Sequence, residues 1–184
     1  MAPDAREGLS SMAVLFDASV LIDLFNHRLV GERRARLDHL IASLQKQRTT
    51  VLVPTPAYAE FLVRAGKARE AYLLAFDRQA LFRVEPFDQR AALECALLLE
   101  EAWSKGQQAK ISHTKFKFDW QIVAIAASRN ATAIYSDDAD IAKAAARVSI
   151  PVHPTALLPM PASAAQSGLP FDTTDEPSDP PLQN

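Results

Sequence analysis

The sequence predicts an α/β fold: a single domain whose central parallel sheet is flanked by helices, followed by a disordered C-terminal tail. Three observations predict it. Short β-branched or leucine-rich runs alternate with longer segments of helical period, the pattern that builds a parallel sheet. A length of 184 residues suits one domain with a core large enough to fold without disulfides. A composition of 48% hydrophobic and 23% charged residues is that of a globular chain rather than a disordered or fibrous one.

The elements follow in order. Val14-Leu15-Phe16 reads as the first strand. Val20, Leu21, Leu24 and Phe25 then fall at helical spacing and predict a helix over Ala18 to Phe25. Leu37, Leu40, Ile41 and Leu44 predict another over Arg33 to Leu44. Val51-Leu52-Val53 is the second strand, ended by Pro54-Thr55-Pro56. Thr55 suits an N-cap and Pro56 the first helical position, so a third helix starts near Pro56. Glu70 to Arg78 reads as helix, Leu81 to Val84 as a strand stopped at Pro86, and Gln89 to Trp103 as a long helix. Ser104 to Thr114 reads as a polar loop. Ile122, Val123, Ile125 and Ala126 form the apolar side of a helix over Phe118 to Arg129, with Asn130 suited to the C-cap before a strand at Ala133 to Tyr135. Asp138 to Arg147 is the last long helix, and Ile150 to Val152 an edge strand, where the missing N–H of Pro151 does least harm. The domain therefore spans residues 13–158. Residues 159–184 form the Pro-rich acidic tail, with prolines at 159, 161, 170, 177, 180 and 181 and few large apolar residues.

Several function classes fall away at this point. No apolar run approaches the roughly 18–20 residues of a membrane span, and the N-terminus is polar rather than a signal peptide, so a cytoplasmic protein with no membrane partner is expected. Cys95 has no cysteine to pair with, and Ala91, Ala92, Leu98 and Leu99 around it predict an inert buried thiol. Glycine is scarce, with no P-loop and no dinucleotide fingerprint, and His27, His39, His113 and His153 share no ligand spacing. The formal charge is -2. Four acids, Asp172, Asp175, Glu176 and Asp179, lie in the tail, and removing them from 22 leaves 18 against 20 Lys and Arg. The body is thus slightly basic and tolerates a polyanionic partner.

The informative feature is where acids fall relative to these elements. Asp17 directly follows the first strand, at the kind of strand end where open α/β sheets build ligand crevices. Glu60 lies about one turn inside the helix after the second strand. Asp119 stands at the front of its helix, after the run Lys115-Phe116-Lys117-Phe118. Ser136-Asp137-Asp138-Ala139-Asp140 follows the strand that ends at Tyr135. Each acid alone reads as a cap or a partner of the helix dipole. Parallel strands, however, bring all their carboxyl ends to one edge, where Asp17, Glu60, Asp119, Asp138 and Asp140 would converge. Clustered carboxylates stay ionised only beside a compensating cation, and oxygen ligands without His or Cys select Mg²⁺ or Mn²⁺ over zinc.

These residues carry a resemblance. The hydrophobic-Asp-x-Ser pattern at Phe16 to Ser19, the Pro-then-Glu helix at Pro54 to Glu60, the Asp-x-x-Ile-x-Ala-x-Ala helix at Asp119 to Ala126, and Ser-Asp-Asp-x-Asp at Ser136 to Asp140 resemble the PIN domain, in particular the VapC-like toxin ribonucleases. The resemblance covers about Ala13 to Leu158. It implies that Asp17, Glu60, Asp119 and Asp138 bind Mg²⁺ or Mn²⁺, with Asp140 as a further catalytic acid and Ser19 and Ser136 as supporting hydroxyls. Of the doublet Asp137-Asp138, the second matches by standing two residues before Asp140. In that assignment Asp17, Asp119 and Asp138 ligate the metal, while Glu60 and Asp140 bind a second ion or orient the attacking water. The resemblance further implies a metal-dependent endoribonuclease, the toxin of a type II toxin-antitoxin pair, with an RNA substrate, a cognate antitoxin and a homodimer as partners.

Lys115, Lys117 and Arg64 are the candidates for RNA binding beside the acids. A competing reading puts Phe116 and Phe118 in the core and the lysines on a solvated face. Arg33, Arg34 and Arg36 read as a surface helix face. The rival functions are a PIN nuclease in RNA processing or acting on DNA, and a non-enzymatic phospho-accepting module that binds Mg²⁺. An Asp-x-Asp phosphotransferase is disfavoured because Ser19 occupies the second position.

Overall fold

The computed structural model describes residues 12–104 and 113–162. Most of the predicted polar loop after Ser104, and the tail beyond residue 162, lie outside them. The first strand, β1, is Ala13–Phe16, followed by α1 at Ala18–Phe25 and α2 at Glu32–Lys46. Then come β2 at Thr50–Pro54, α3 at Thr55–Ala65, α4 at Arg69–Asp77 and β3 at Phe82–Glu85. The second half contributes α5 at Gln89–Ser104, α6 at His113–Ser128, β4 at Ile134–Tyr135, α7 at Ala139–Ala145 and β5 at Val152–His153.

All strand pairs are parallel and the sheet order is β3-β2-β1-β4-β5. Leu15 stands opposite both Leu52 and Ile134, so β1 is the central strand. Strand residues alternate between two cores. Ala13, Leu15, Leu52 and Ile134 face a layer that includes Cys95, Leu98, Ile122, Ile125 and Ile141 of α5, α6 and α7. Val14, Phe16, Val51 and Val53 face the other, with Val20, Leu21, Leu37, Phe61 and Phe76 of α1 to α4. Burial of both faces of β1 and β2 explains why these two strands read as continuous apolar runs rather than alternating ones. Cys95 is buried, and burial pushes its thiol pKa up, as expected of an inert core residue.

Several boundaries differ from the sequence expectation. Pro54, in an extended conformation, is the N-cap of α3, and Thr55 is already helical. The Thr55 hydroxyl instead accepts the Phe87 N–H at 3.3 Å, tying α3 to the chain after β3. The helix α6 begins at His113, so Asp119 sits in its second turn rather than at its front. The helix α7 gives way at Ala146 to a 3₁₀ turn, Ala146–Val148, and left-handed Ser149 (φ 56°) ends it. The edge strand forms at Val152–His153, beyond Pro151. At the end of α6, Asn130 takes the left-handed conformation (φ 53°) and donates its N–H to Ala127 at 3.0 Å. Ala131 donates to Ala126 at 2.9 Å, which completes the Schellman pattern expected of an Asn there.

Candidate active site

The chain builds outward from β1 through β2 to β3, then crosses back to lay β4 on the other side of β1. The strand order therefore reverses at the β1/β4 pair, and the carboxyl ends of two such strands are where open α/β sheets place their ligand sites. Asp17 and Ser136 are the residues that follow β1 and β4. Backbone bonds align them: the Asp17 N–H donates to Tyr135 at 3.0 Å and the Ser136 N–H to His153 at 3.3 Å.

Asp17 is buried, and its Oδ2 accepts from the Ser136 hydroxyl at 3.0 Å and the Ser19 hydroxyl at 3.1 Å. Each hydroxyl then accepts from the chain beyond β4. Ser136 Oγ takes the Asp138 N–H at 3.0 Å, and Ser19 Oγ takes the Asp137 N–H at 3.3 Å. The supporting role expected of Ser19 and Ser136 thus has a geometry, since they join Asp17 to the loop that carries Asp138. Burial pushes the Asp17 carboxyl above the ordinary aspartate range, against the downward pull of the Ala18 N–H and the two serine hydroxyls. Among the described residues no Lys, Arg or His forms an ion pair with it.

The doublet Asp137-Asp138 divides its work. Asp137 turns away to Arg33 Nη2 at 2.5 Å and to the N–H of Thr155 at 2.7 Å. Asp138 stays on the side of Ser136 and caps α7, its Oδ1 accepting the Asp140 N–H at 2.7 Å. Both sequence readings of Asp138, cap and site acid, are therefore compatible. Asp140 lies in the first turn of α7 and pairs with Lys143 at 2.8 Å. Asp119 is buried in α6, a helix that packs against α3, α5, α7 and β2. The next residue, Trp120, is buried with the Arg147 guanidinium 5.5 Å from its ring centre.

Glu60 and Arg64 lie one turn apart on α3, and both are exposed. Lys115 and Lys117 fall in the first turns of α6, and their side chains lie outside the description. Phe118 is 53% exposed, which removes it from the core placement offered by the competing reading. The five acids do not close into one ready ligand shell. Among the described residues no three His, Cys, Asp or Glu side chains gather at a common point. Asp17 instead accepts from hydroxyls, Asp138 from the Asp140 N–H, and Asp140 pairs with Lys143.

The basic run on α2 is the feature sequence reasoning misjudged. Arg34 donates to the Leu24 and Asn26 carbonyls that end α1, and Arg36 donates to the Leu158 carbonyl. Arg33 bridges Asp23 and Asp137. Two of these partners are not signalled locally, since Asp137 is 104 residues from Arg33 and Leu158 is 122 from Arg36.

The donor set fits a hard divalent cation. Asp17 offers a buried carboxylate answered only by dipoles, Asp138 approaches it through Ser136, and the acids identified contribute oxygen alone. The described residues also contain no helix long and apolar enough to cross a membrane.

The PIN domain family model matches residues 14–147. No curated protein sequence matches the chain. Among solved structures the fold is similar to a chain of VapBC2 from Rickettsia felis, solved bound to a DNA fragment from its promoter. That likeness has a TM-score of 0.56 at 15% identity and covers 78% of this chain and 98% of the other. VapC20 from Mycobacterium tuberculosis, a toxin that cleaves the sarcin-ricin loop, aligns with a TM-score of 0.48 at 21% identity, over 71% of this chain and 94% of its own.

Proposed function

The chain belongs to the PIN domain family, and from that premise we propose that it is a Mg²⁺- or Mn²⁺-dependent endoribonuclease. The observation that carries the reading is Asp17: a buried carboxylate at the topological switch point, held by two hydroxyls and by N–H donors, with no protein cation beside it among the described residues. Asp17, Asp119 and Asp138 would hold the ion, with Glu60 and Asp140 at a second ion or orienting the attacking water. When bound, such an ion offsets the charge of the phosphodiester and makes water nucleophilic at neutral pH. The protein's own residues set the geometry. Ser136 and Ser19 fix Asp17 Oδ2, the Asp138 N–H to Ser136 bond sets the second carboxylate, and Asp119 would enter from α6.

RNA would approach across Arg64 and the Lys115 and Lys117 turn, with exposed Phe118 beside Asp119. The toxin role, with a cognate antitoxin and a homodimer, rests on the sequence resemblance to VapC-like ribonucleases. Membership in the PIN family weighs against a phospho-accepting module. The domain boundary at residue 158 belongs to the same proposal, since among the described residues Leu158 is the last large apolar side chain that packs into a core.

The test is cleavage of end-labelled total RNA by wild type and Asp119→Asn purified side by side, with Mg²⁺, Mn²⁺ or EDTA. Cutting is expected with either ion, is expected to vanish in EDTA, and is expected to drop by at least about a hundredfold in the variant while its circular dichroism is unchanged. Comparable cutting by both proteins would overturn the reading. Growth arrest on expression, relieved by Asp17→Ala, would support the toxin role, and harmless expression of an active nuclease would remove it.

A further inference from the structure

Arg33, Asp137 and Thr155 come from three distant stretches of chain and close into one polar strap beside the carboxylates. Arg33, in the first turn of α2, donates from Nε to Asp23 of α1 and from Nη2 to Asp137 Oδ2, both at 2.5 Å. From the other side Thr155, in the 3₁₀ turn Thr155–Leu157, donates its N–H to Asp137 Oδ1 at 2.7 Å. Its hydroxyl lies 2.9 Å from Oδ1 and 2.7 Å from Oδ2. The Asp137 N–H meanwhile points to Ser19 Oγ at 3.3 Å. Asp137 is therefore held from α2, from the C-terminal turn and from α1. Its neighbours on either side are Ser136 and Asp138.

The strap is too open to be a major source of global stability. The Arg33 and Asp137 side chains are 41% and 26% exposed, and ion pairs of that kind contribute little to folding. Its effect is local and geometric, because a planar guanidinium holds two carboxylates at a set distance and angle.

We propose that Arg33 and Asp137 are positioning residues for the site formed by Asp17, Ser136 and Asp138. The strap holds the Ser136–Asp138 loop against Asp17, so that the second carboxylate is preset rather than drawn in by the cation. The identity of the ligand, Mg²⁺ or Mn²⁺, rests on the nuclease reading above, and the strap itself does not. Outer partners that orient metal ligands are worth about 10–100-fold in metal affinity.

The experiment compares Arg33→Met, Asp137→Ala, their double variant and Arg33→Lys with wild type, and uses Arg34→Met as a structural control on the same helix. One readout is affinity for Mn²⁺ alone, and the other is amide hydrogen exchange at Asp137 and Asp138 in EDTA. Each single variant is expected to bind Mn²⁺ about tenfold more weakly and to exchange those amides faster. The double variant should be no worse than the weaker single, because both remove one strap. Arg33→Lys should restore only part of the affinity, since a point charge cannot span both carboxylates. Arg34→Met should lower the melting temperature and leave Mn²⁺ affinity alone. Unchanged exchange and wild-type Mn²⁺ affinity in Arg33→Met would overturn the proposal while leaving the metal reading intact. Faster exchange in the variants, with no Mn²⁺ binding by wild type, would uphold the strap and sink the metal reading.

Discussion

Two carboxylates at the carboxyl ends of strands are buried to the same degree and treated in opposite ways. Glu85, the last residue of β3, is 7% exposed, and Asp17, just past β1, is 6% exposed. Glu85 has the fold's own cations: Arg129 Nε at 2.6 Å and Arg83 Nε at 2.5 Å, with Arg129 also reaching Asp88 at 2.7 Å. Asp17 has hydroxyls and backbone N–H groups instead. Dipoles hold a carboxylate in place without cancelling its charge, whereas Arg129 and Arg83 neutralise Glu85 directly. Equal burial with unequal compensation separates an acid the fold neutralises with its own cations from one it leaves to dipoles, and the proposed metal site rests on that difference.

The comparison breaks most sharply on the paired side. Replacing Arg129 with Met leaves Glu85 buried with only the more exposed Arg83, and is expected to cost about 2–4 kcal/mol in urea unfolding. A loss below about 0.5 kcal/mol would show that Glu85 is not held mainly by that pair.

On the unpaired side the sign reverses. Asp17→Asn removes a charge that burial disfavours, keeps an oxygen for the two serines, and is expected to stabilise the metal-free protein by about 0.5–2 kcal/mol. The same variant should lose any rise in melting temperature produced by Mn²⁺. The pH dependence follows from the direction of the shift. Because the folded carboxyl titrates above the ordinary 3.8, the folded state binds the extra proton between that value and its raised pKa. The contribution of Asp17 to stability therefore improves as pH falls through the raised pKa, and is at its worst at neutral pH. Asp88 runs the other way. The Ala91 N–H and Arg129 hold it below 3.8, so its contribution is present above that value and is lost as pH falls through the lowered pKa. Melting curves of wild type and Asp17→Asn in EDTA should converge on acidification, and parallel curves would refute the assignment.

The smallest effect is expected at the surface. The Lys143 and Asp140 side chains are 76% and 47% exposed, so Lys143→Ala should change stability by less than about 0.5 kcal/mol. If Asp140 serves the metal site, the same substitution leaves Mn²⁺ affinity equal or higher, which a titration would show.

Much of this was legible in the chain. Apolar runs at β1, β2 and β4 and the period of α1, α2 and α5 placed Asp17 after a strand and the Ser136 to Asp140 group after another, because local spacing decides local structure. The start of α6 was not legible. Its apolar period begins only at Trp120, while the helix is already running from His113, six residues before Asp119. Thr55 looked like a cap because Thr-Pro is a common helix start, yet a tertiary bond from Phe87 claims its hydroxyl.

By itself the sequence determined the order and kind of the elements, the position of each acid within them, and the inert role of Cys95. Periodicity and turn chemistry are properties of neighbours along the chain. Only the tertiary structure decided which acids are paired and which are left to dipoles. Arg129 meets Glu85 across 44 residues, Ser136 meets Asp17 across 119, and Arg33 separates Asp137 from Asp138 across 104. Electrostatic compensation depends on distance in space and on burial, and neither is encoded in the spacing of residues before the sheet and its helices have closed.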